Sequence, residues 1–217
     1  MATRLSQAER RGQTQRGLLA AARKVFGERG YGAATLDQIA AEAGMTRGAL
    51  YYNFPAGKED LFLALLDARV EQRADSIRAS FAAPGGTLET AQQARAAADD
   101  AFAAVRPNRE WRLLTFELAL HAARDGAFAQ RYAEREDTIR QAIEEVVRAR
   151  VEQFGAQPPL SPRDLATGLN ALGNGLALDA LTDDNAVSDG LFGRLVGFLV
   201  RGIFAAAEDQ QTNGRTR

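Results

Sequence analysis

Two helix starts stand only eleven residues apart, at Thr35 and Thr46, and that spacing constrains the fold more than any other feature of the chain. Thr35-Leu36-Asp37-Gln38 has the form of a capping box, in which the Thr hydroxyl and the Gln38 amide satisfy exposed backbone donors reciprocally. Gly44 ends the helix so begun, because glycine takes the left-handed conformation without a Cβ penalty. Thr46 then caps a third, short helix that runs to about Phe54, where Pro55-Ala56-Gly57 breaks it. Ile39, Ala40, Ala43, Met45 and Leu50 supply the apolar seam, with small alanines where two helices must cross closely. A pair of short helices closed by a tight glycine turn has helix-turn-helix spacing.

The remaining segments also read as helices, since no run alternates with period two over a useful length. A first helix is expected from near Thr14 to Arg29, with Leu18, Leu19, Ala22, Val25 and Phe26 on its apolar side. Ser6-Gln7-Ala8-Glu9 offers an earlier start with capping-box spacing, which Gly12 and Gly17 oppose. Gly30-Tyr31-Gly32 is expected to stop this helix. A fourth begins at Lys58, where Glu59 and Asp60 favour the N-terminal dipole, and reaches roughly Phe81. Further helices are expected near 87–105, 108–123, 126–154, 162–182 and 188–207. Ser161-Pro162-Arg163-Asp164 marks one start strongly, with a capping Ser, Pro at the first helical position and Asp facing the dipole. The expectation is therefore an all-α chain of about nine helices: a three-helix helix-turn-helix head over 1–57 and a larger helical bundle over 58–217.

Composition narrows the chemistry. Cysteine is absent, which removes disulfides and thiolate metal sites and fits a reducing cytoplasm. One histidine, His121, removes most multi-histidine metal designs and cannot supply the two Glu-x-x-His motifs of a di-iron bundle. No nucleophile elbow, P-loop or dinucleotide fingerprint is present, so no catalytic residue, metal or cofactor is expected. An enzyme would have to work with carboxylates alone, to which nothing points. The charged N-terminus lacks the apolar core of a signal peptide. Leu191–Ala207 is interrupted by Arg194 and Arg201 and is too short and charged for a membrane span, so a cytoplasmic protein is expected. The formal charge is −1, but residues 1–60 carry +3 and the rest −4. A mildly basic head on an acidic body is compatible with nucleic-acid contact without demanding it.

In a helix-turn-helix the second helix lies in the major groove and its N-terminal residues meet base edges. Arg47, Gly48 and Ala49 occupy that position. Arg47 can donate twice to guanine O6/N7, and the two small residues allow close approach or contact with a thymine methyl. Thr35, Thr46 and Lys58 stand at helix starts, where phosphates bind readily, and Tyr51 and Tyr52 offer hydroxyls. Residues 14–62 closely resemble the DNA-binding domain of TetR-type regulators. The resemblance rests on Leu18-Leu19-Ala20-Ala21-Ala22, Val25-Phe26, Gly30, Thr35, Ile39-Ala40, Ala43-Gly44, Leu50-Tyr51-Tyr52, Phe54, Lys58 and Leu61. It implies that Arg47, Gly48 and Ala49 face bases while Thr35, Tyr51, Tyr52 and Lys58 contact backbone. Two features depart from the family pattern: Asn53 stands where His is common, and the loop from Phe54 to Lys58 is one residue longer than usual.

The body resembles that family only in length and helical pattern. Helix 126–154 is amphipathic, with Ile139, Ile143, Val146, Val147, Val151 and Phe154 at helical spacing and Glu136→Arg140 and Glu144→Arg148 pairs opposite, as suits the outside of a bundle. The last helix is apolar around nearly its full circumference, which calls for a second covering surface. Gly193 and Gly197 would let another helix approach. The resemblance implies that the last two helices form a homodimer interface, which places Leu172, Leu176, Gly193, Leu195, Gly197 and Phe198 in contact with a second subunit. It also implies a small-molecule effector in the body, for which Phe102, Trp111, Phe116, His121, Phe128 and Tyr132 are the candidate lining residues. The expected function is a ligand-responsive regulator, by family default a repressor, that releases a palindromic operator when the effector binds. A helical small-molecule carrier without DNA binding is the rival reading.

Overall fold

A computed structural model describes residues 6–81, 91–105, 109–155 and 157–214, and among these every regular element is a helix. The order is α1 (Gln7–Ala33), α2 (Leu36–Glu42), α3 (Arg47–Asn53), α4 (Lys58–Phe81), α5 (Ala91–Val105), α6 (Arg109–Ala122), α7 (Gly126–Phe154), α8 (Pro162–Thr182) and α9 (Leu191–Gly214). Residues 87–90, where the fifth helix was expected to start, lie outside the described residues. The chain divides into two compact units, one holding residues to 69 with 108–135, the other 70–107 with 136–217. The unit that contains α1 and the two short helices thus reaches beyond residue 57 and includes α6 and the start of α7.

In the first unit the early start of α1 is realised. Glu9 N–H donates to Ser6 Oγ at 3.2 Å and Ser6 N–H to Glu9 Oε2 at 2.7 Å, a complete capping box that offsets Gly12 and Gly17. Gly17 has a packing reason as well: a Cβ there would stand 2.9 Å from Met45 Cε, so its absence seats the turn residue against α1. Helical geometry breaks at Gly30 (φ +75°) as expected, but one further turn follows to Ala33. The core joins Leu18, Phe26, Ile39, Leu50, Leu61 and Phe62, all essentially sealed from solvent. Phe26, Tyr31 and Phe62 form a triangle of rings 5.5–5.7 Å apart, within the range of favourable aromatic contacts. Burying three such side chains contributes on the order of 1.5–3 kcal/mol each before conformational entropy is counted.

The second unit is held differently. Its buried apolar residues are mostly alanines (Ala97, Ala98, Ala101, Ala142, Ala166 and Ala180), joined by Val70, Ile77, Ile139, Leu181 and Val196. Charged contacts link its helices: Arg78 pairs with Glu145 at 2.8 Å, Arg163 bonds to Asp137 and reaches Glu144, and Arg73 donates to the buried Asn170 at 3.1 Å. Part of the polar side of α7 thus pairs with α4 and α8, while Glu134, Gln141, Glu145, Arg148 and Glu152 stay exposed as expected of an outer helix. Of its two expected ion pairs, Glu144–Arg148 is present, whereas Arg140 turns to Asp137 and Glu136 accepts from Asn170.

The last helix brings a second correction. Gly193 N–H donates to Asp99 Oδ1 at 2.7 Å, so a carboxylate from α5 satisfies one of the orphan donors in the first turn of α9. A Cβ at Gly193 would collide with the Asp99 carboxylate and the Arg95 carbonyl. Gly193 and Gly197 are both buried within the single chain, and Gly193 serves an internal helix contact rather than one between subunits. What α9 leaves outside is larger: Phe198 is 65% exposed and Leu199 46%, with Leu195 half-buried. On α8, Leu172 and Leu176 are half-buried, Leu178 is exposed, and Gly168 and Gly175 have nothing near the place of a Cβ.

Candidate nucleic-acid interface

The turn between α2 and α3 is built from backbone hydrogen bonds. Gly44, at φ +63°, lets its own N–H reach Ala41 O at 3.0 Å and the next N–H, of Met45, reach Ala40 O at 2.9 Å. Each short helix is capped as expected. Thr35 Oγ1 accepts from Gln38 N–H at 3.3 Å and Gln38 Oε1 from Thr35 N–H at 3.1 Å; Thr46 Oγ1 accepts from Ala49 N–H at 3.2 Å. Because each threonine uses only an oxygen lone pair for the cap, its hydroxyl proton stays available at a helix N-terminus.

Leu50 fixes the rotation of α3 by burying itself completely, which turns Arg47, Gly48, Tyr51 and Tyr52 outward and leaves Ala49 half-buried. Arg47 lies 3.3 Å from Asp37 and 5.6 Å above the Tyr51 ring, with its guanidinium reaching the Tyr51 hydroxyl at 3.5 Å. This outer face thus carries one oriented guanidinium and two small residues with no bulky side chain between. Tyr51 is 40% exposed and Tyr52 70%.

Lys58 departs from the expected role. Its ammonium donates to the carbonyls of Tyr31 (2.8 Å), Gly32 (3.3 Å) and Ala34 (3.2 Å) and stands 4.5 Å above the Tyr31 ring. An ammonium has three donors, and these three acceptors occupy them, so no proton remains for a phosphate. Partial burial accordingly pushes its pKa down. Lys58 closes the C-terminal end of α1, whose last carbonyls would otherwise lack donors. Asn53 also turns inward, with Nδ2 donating to Ala49 O at 2.8 Å.

Sequence reasoning missed Arg11. Its guanidinium lies 5.6 Å above the Tyr52 ring, which puts a cation beside the exposed edge of α3. The available signal was the capping box at Ser6, since a helix starting there carries Arg11 along α1 toward that face.

The candidate lining residues of the body do not form one group. His121, Phe128 and Tyr132 come together in the first unit, with ring separations of 4.7 and 6.4 Å, and Tyr31 joins them 5.3 Å from His121. Trp111 and Phe116 are half-buried on α6 in that unit. Phe102 belongs to the second unit, stacked on Phe192 at 4.9 Å. No helix among the described residues is long and apolar enough to cross a membrane.

Two family profiles match the chain: that of bacterial regulatory proteins of the tetR family over residues 18–65, and that of the C-terminal part of BetI-type transcriptional repressors over 90–205. Among relatives, the HTH-type transcriptional activator FasR of Mycolicibacterium smegmatis is 37% identical over 114 residues, covering 52% of this chain and 48% of that protein. The HTH-type transcriptional repressor BepR of Brucella suis is 37% identical over 92 residues, covering 42% and 44%. The matched stretch is thus about half the length of these relatives or less. The structure of Salmonella enterica GusR superposes with a TM-score of 0.68 at 20% identity, covering 92% of this chain and 97% of that one, a likeness of fold.

Proposed function

Because the chain belongs to the TetR family of bacterial regulatory proteins, we propose that it is a ligand-responsive transcription regulator that binds a palindromic operator as a homodimer. In this reading Arg47, Gly48 and Ala49 face base edges, while Thr35, Thr46, Tyr51, Tyr52 and Arg11 meet the phosphate backbone. The observation that carries the reading is the outward presentation of α3, with Arg47 held over the Tyr51 ring and two small residues beside it. A guanidinium so placed matches the two acceptors of guanine. The threonine caps, with free hydroxyl protons, suit phosphate.

The partner subunit would cover the exposed Leu178, Phe198 and Leu199 and the half-buried Leu172, Leu176 and Leu195 of α8 and α9. Gly193 leaves that set because α5 already occupies its face. Two heads related by a two-fold axis would then address half-sites about 34–36 Å apart or a multiple of it. The matched body profile is named for repressors, which supports repression with release on effector binding, in the cytoplasm where the operator lies. Effector and operator are coupled if the ligand favours a conformation that binds DNA less tightly.

Part of the route lies within the first unit. Tyr31 N–H donates to Glu117 of α6 at 2.6 Å, Arg131 of α7 pairs with Asp60 of α4 at 2.8 Å, and Arg135 with Asp67 at 2.7 Å. Movement of α6 or of the start of α7 is thereby transmitted to the end of α1 and the start of α4.

Fluorescence anisotropy with DNA fragments flanking the protein's own coding sequence tests the proposal. Specific, salt-sensitive binding to a palindrome is expected, with log affinity falling by about 0.9 per decade of salt for each phosphate neutralised. Binding that is equal for all sequences, or absent, would favour a carrier that has lost its operator.

A further inference from the structure

We propose that Glu59, His121 and Asp125 form a binding site for a divalent transition-metal ion, with zinc the best match to the donor set. One histidine nitrogen and one oxygen from each carboxylate lie within 4.8 Å of one another, and all three residues are only partly exposed. They belong to the same compact unit: Glu59 in the first turn of α4, His121 in the last turn of α6, and Asp125 at the entry to α7. The composition that argued against a multi-histidine centre leaves room for this one, since the fold adds two carboxylates to the lone imidazole.

Three observations favour an ion over a chance cluster. His121 Nε2 is buried with no hydrogen-bond partner among the described residues, and a buried polar atom left unsatisfied calls for an explanation. The imidazole is flanked by the Phe128 and Tyr31 rings at 4.7 and 5.3 Å, which restrain its orientation as ligand residues require. Both carboxylates keep coordinating capacity. Asp125 Oδ1 caps α7 by accepting from Ala127 N–H and Phe128 N–H at 3.0 and 3.1 Å, and Oδ2 remains. Arg131 stands 3.7 Å from Glu59, beyond hydrogen-bond reach, because its short contact is to Asp60.

A nitrogen and two carboxylate oxygens suit zinc and its neighbours better than magnesium or calcium, which prefer oxygen alone, and the absence of thiolates speaks against copper(I). Zinc bonds of about 2.0–2.2 Å set ligand atoms ~3.4 Å apart in a tetrahedron, so side-chain rotations drawing the three together by ~1 Å complete the site. Three protein ligands leave a fourth position for water or a small anion. An ion here would fasten the first turn of α4 to the α6–α7 corner, and its binding does not depend on the operator reading.

The test uses the full chain stripped by a chelator and titrated with Zn²⁺ in a calorimeter, with Co²⁺ as a spectroscopic probe. One ion per chain is expected, along with a rise in Tm as Zn²⁺ exceeds its Kd. His121→Ala, Asp125→Asn and Glu59→Gln should each weaken binding about tenfold or more, while the remote Glu152→Gln leaves it unchanged. Circular dichroism establishes that the variants fold. Should His121→Ala fail to fold, the carboxylate variants and the visible Co²⁺ spectrum decide. Absence of stoichiometric binding to the folded wild-type chain, or equal binding by wild type and folded ligand variants, overturns the proposal.

Discussion

The two compact units solve the problem of burial in opposite ways. Of the ten largest side chains completely buried among the described residues, nine lie in the unit with the helix-turn-helix and only Ile139 in the other. The first unit is filled by large rings and leucines, and its helix ends are tied by caps and by Lys58. The second packs alanines and glycines inside, joins its helices by partly exposed charge pairs, and leaves Phe198, Leu199 and Leu178 in contact with solvent, as the first leaves Leu113 and Leu120. A DNA reader must hold its recognition helix rigidly whatever else happens. A regulatory body needs unfilled apolar surface for a second subunit, and interiors held by small residues yield at lower cost than jigsaw packing of large side chains.

The strongest test of this contrast is Phe62→Ala, which removes one ring of the Phe26–Tyr31–Phe62 triangle. Urea denaturation should show a loss of about 3–5 kcal/mol; a loss near that of a surface change would mean that the head is not the rigid unit. Phe198→Ala should instead act between subunits, weakening dimerisation in sedimentation by about 2 kcal/mol if it is an anchor of the interface. An unaltered association constant would remove that face from consideration. Lys58→Ala should leave carbonyls of residues 31–34 without donors and destabilise the fold by about 1–3 kcal/mol. The salt slope of DNA binding should not change, whereas a phosphate contact would lower it by about one contact's worth. Arg47→Ala should cost about 1–3 kcal/mol at one operator position and little elsewhere, as read by competition with single-base variants. The smallest effect is expected from Asp37→Ala, which frees an exposed Arg47 from a pair worth less than ~1 kcal/mol. Operator affinity should rise by a few-fold at most; a marked fall would mean that Asp37 positions the guanidinium for DNA.

What could be read from the amino-acid order follows the range of the interactions. The caps at Ser6, Thr35, Thr46 and Ser161 all join residues three apart; the last three form as expected, and Ser6 realises the earlier of the two starts that the first helix offered. The face of α3 was legible as well, because Leu50 alone decides its rotation. Lys58 was misread because its partners lie 24 to 27 residues earlier, and the chain carries no local mark of them. Gly193 was misread for the same reason: the carboxylate that fills its place comes from 94 residues away. His121 stands four residues before Asp125 in the sequence, but Glu59 joins them only through the packing of α4. Helical periodicity tells which side of a helix is apolar, not which neighbour will cover it.

Gly30 carries a practical consequence for anyone recombining such proteins. Its backbone is in a region that other residues rarely adopt, and the space a side chain would need lies 2.7 Å from Glu117 Oε1. Positions 30 and 117 are therefore locked as a pair. A biosensor made by grafting residues 1–57 onto a foreign regulatory half would part the hinge of α1 from the carboxylate that anchors it. A chimera that carries 108–135 along with its recognition helices keeps that anchor, and the working crossover points should lie beyond it.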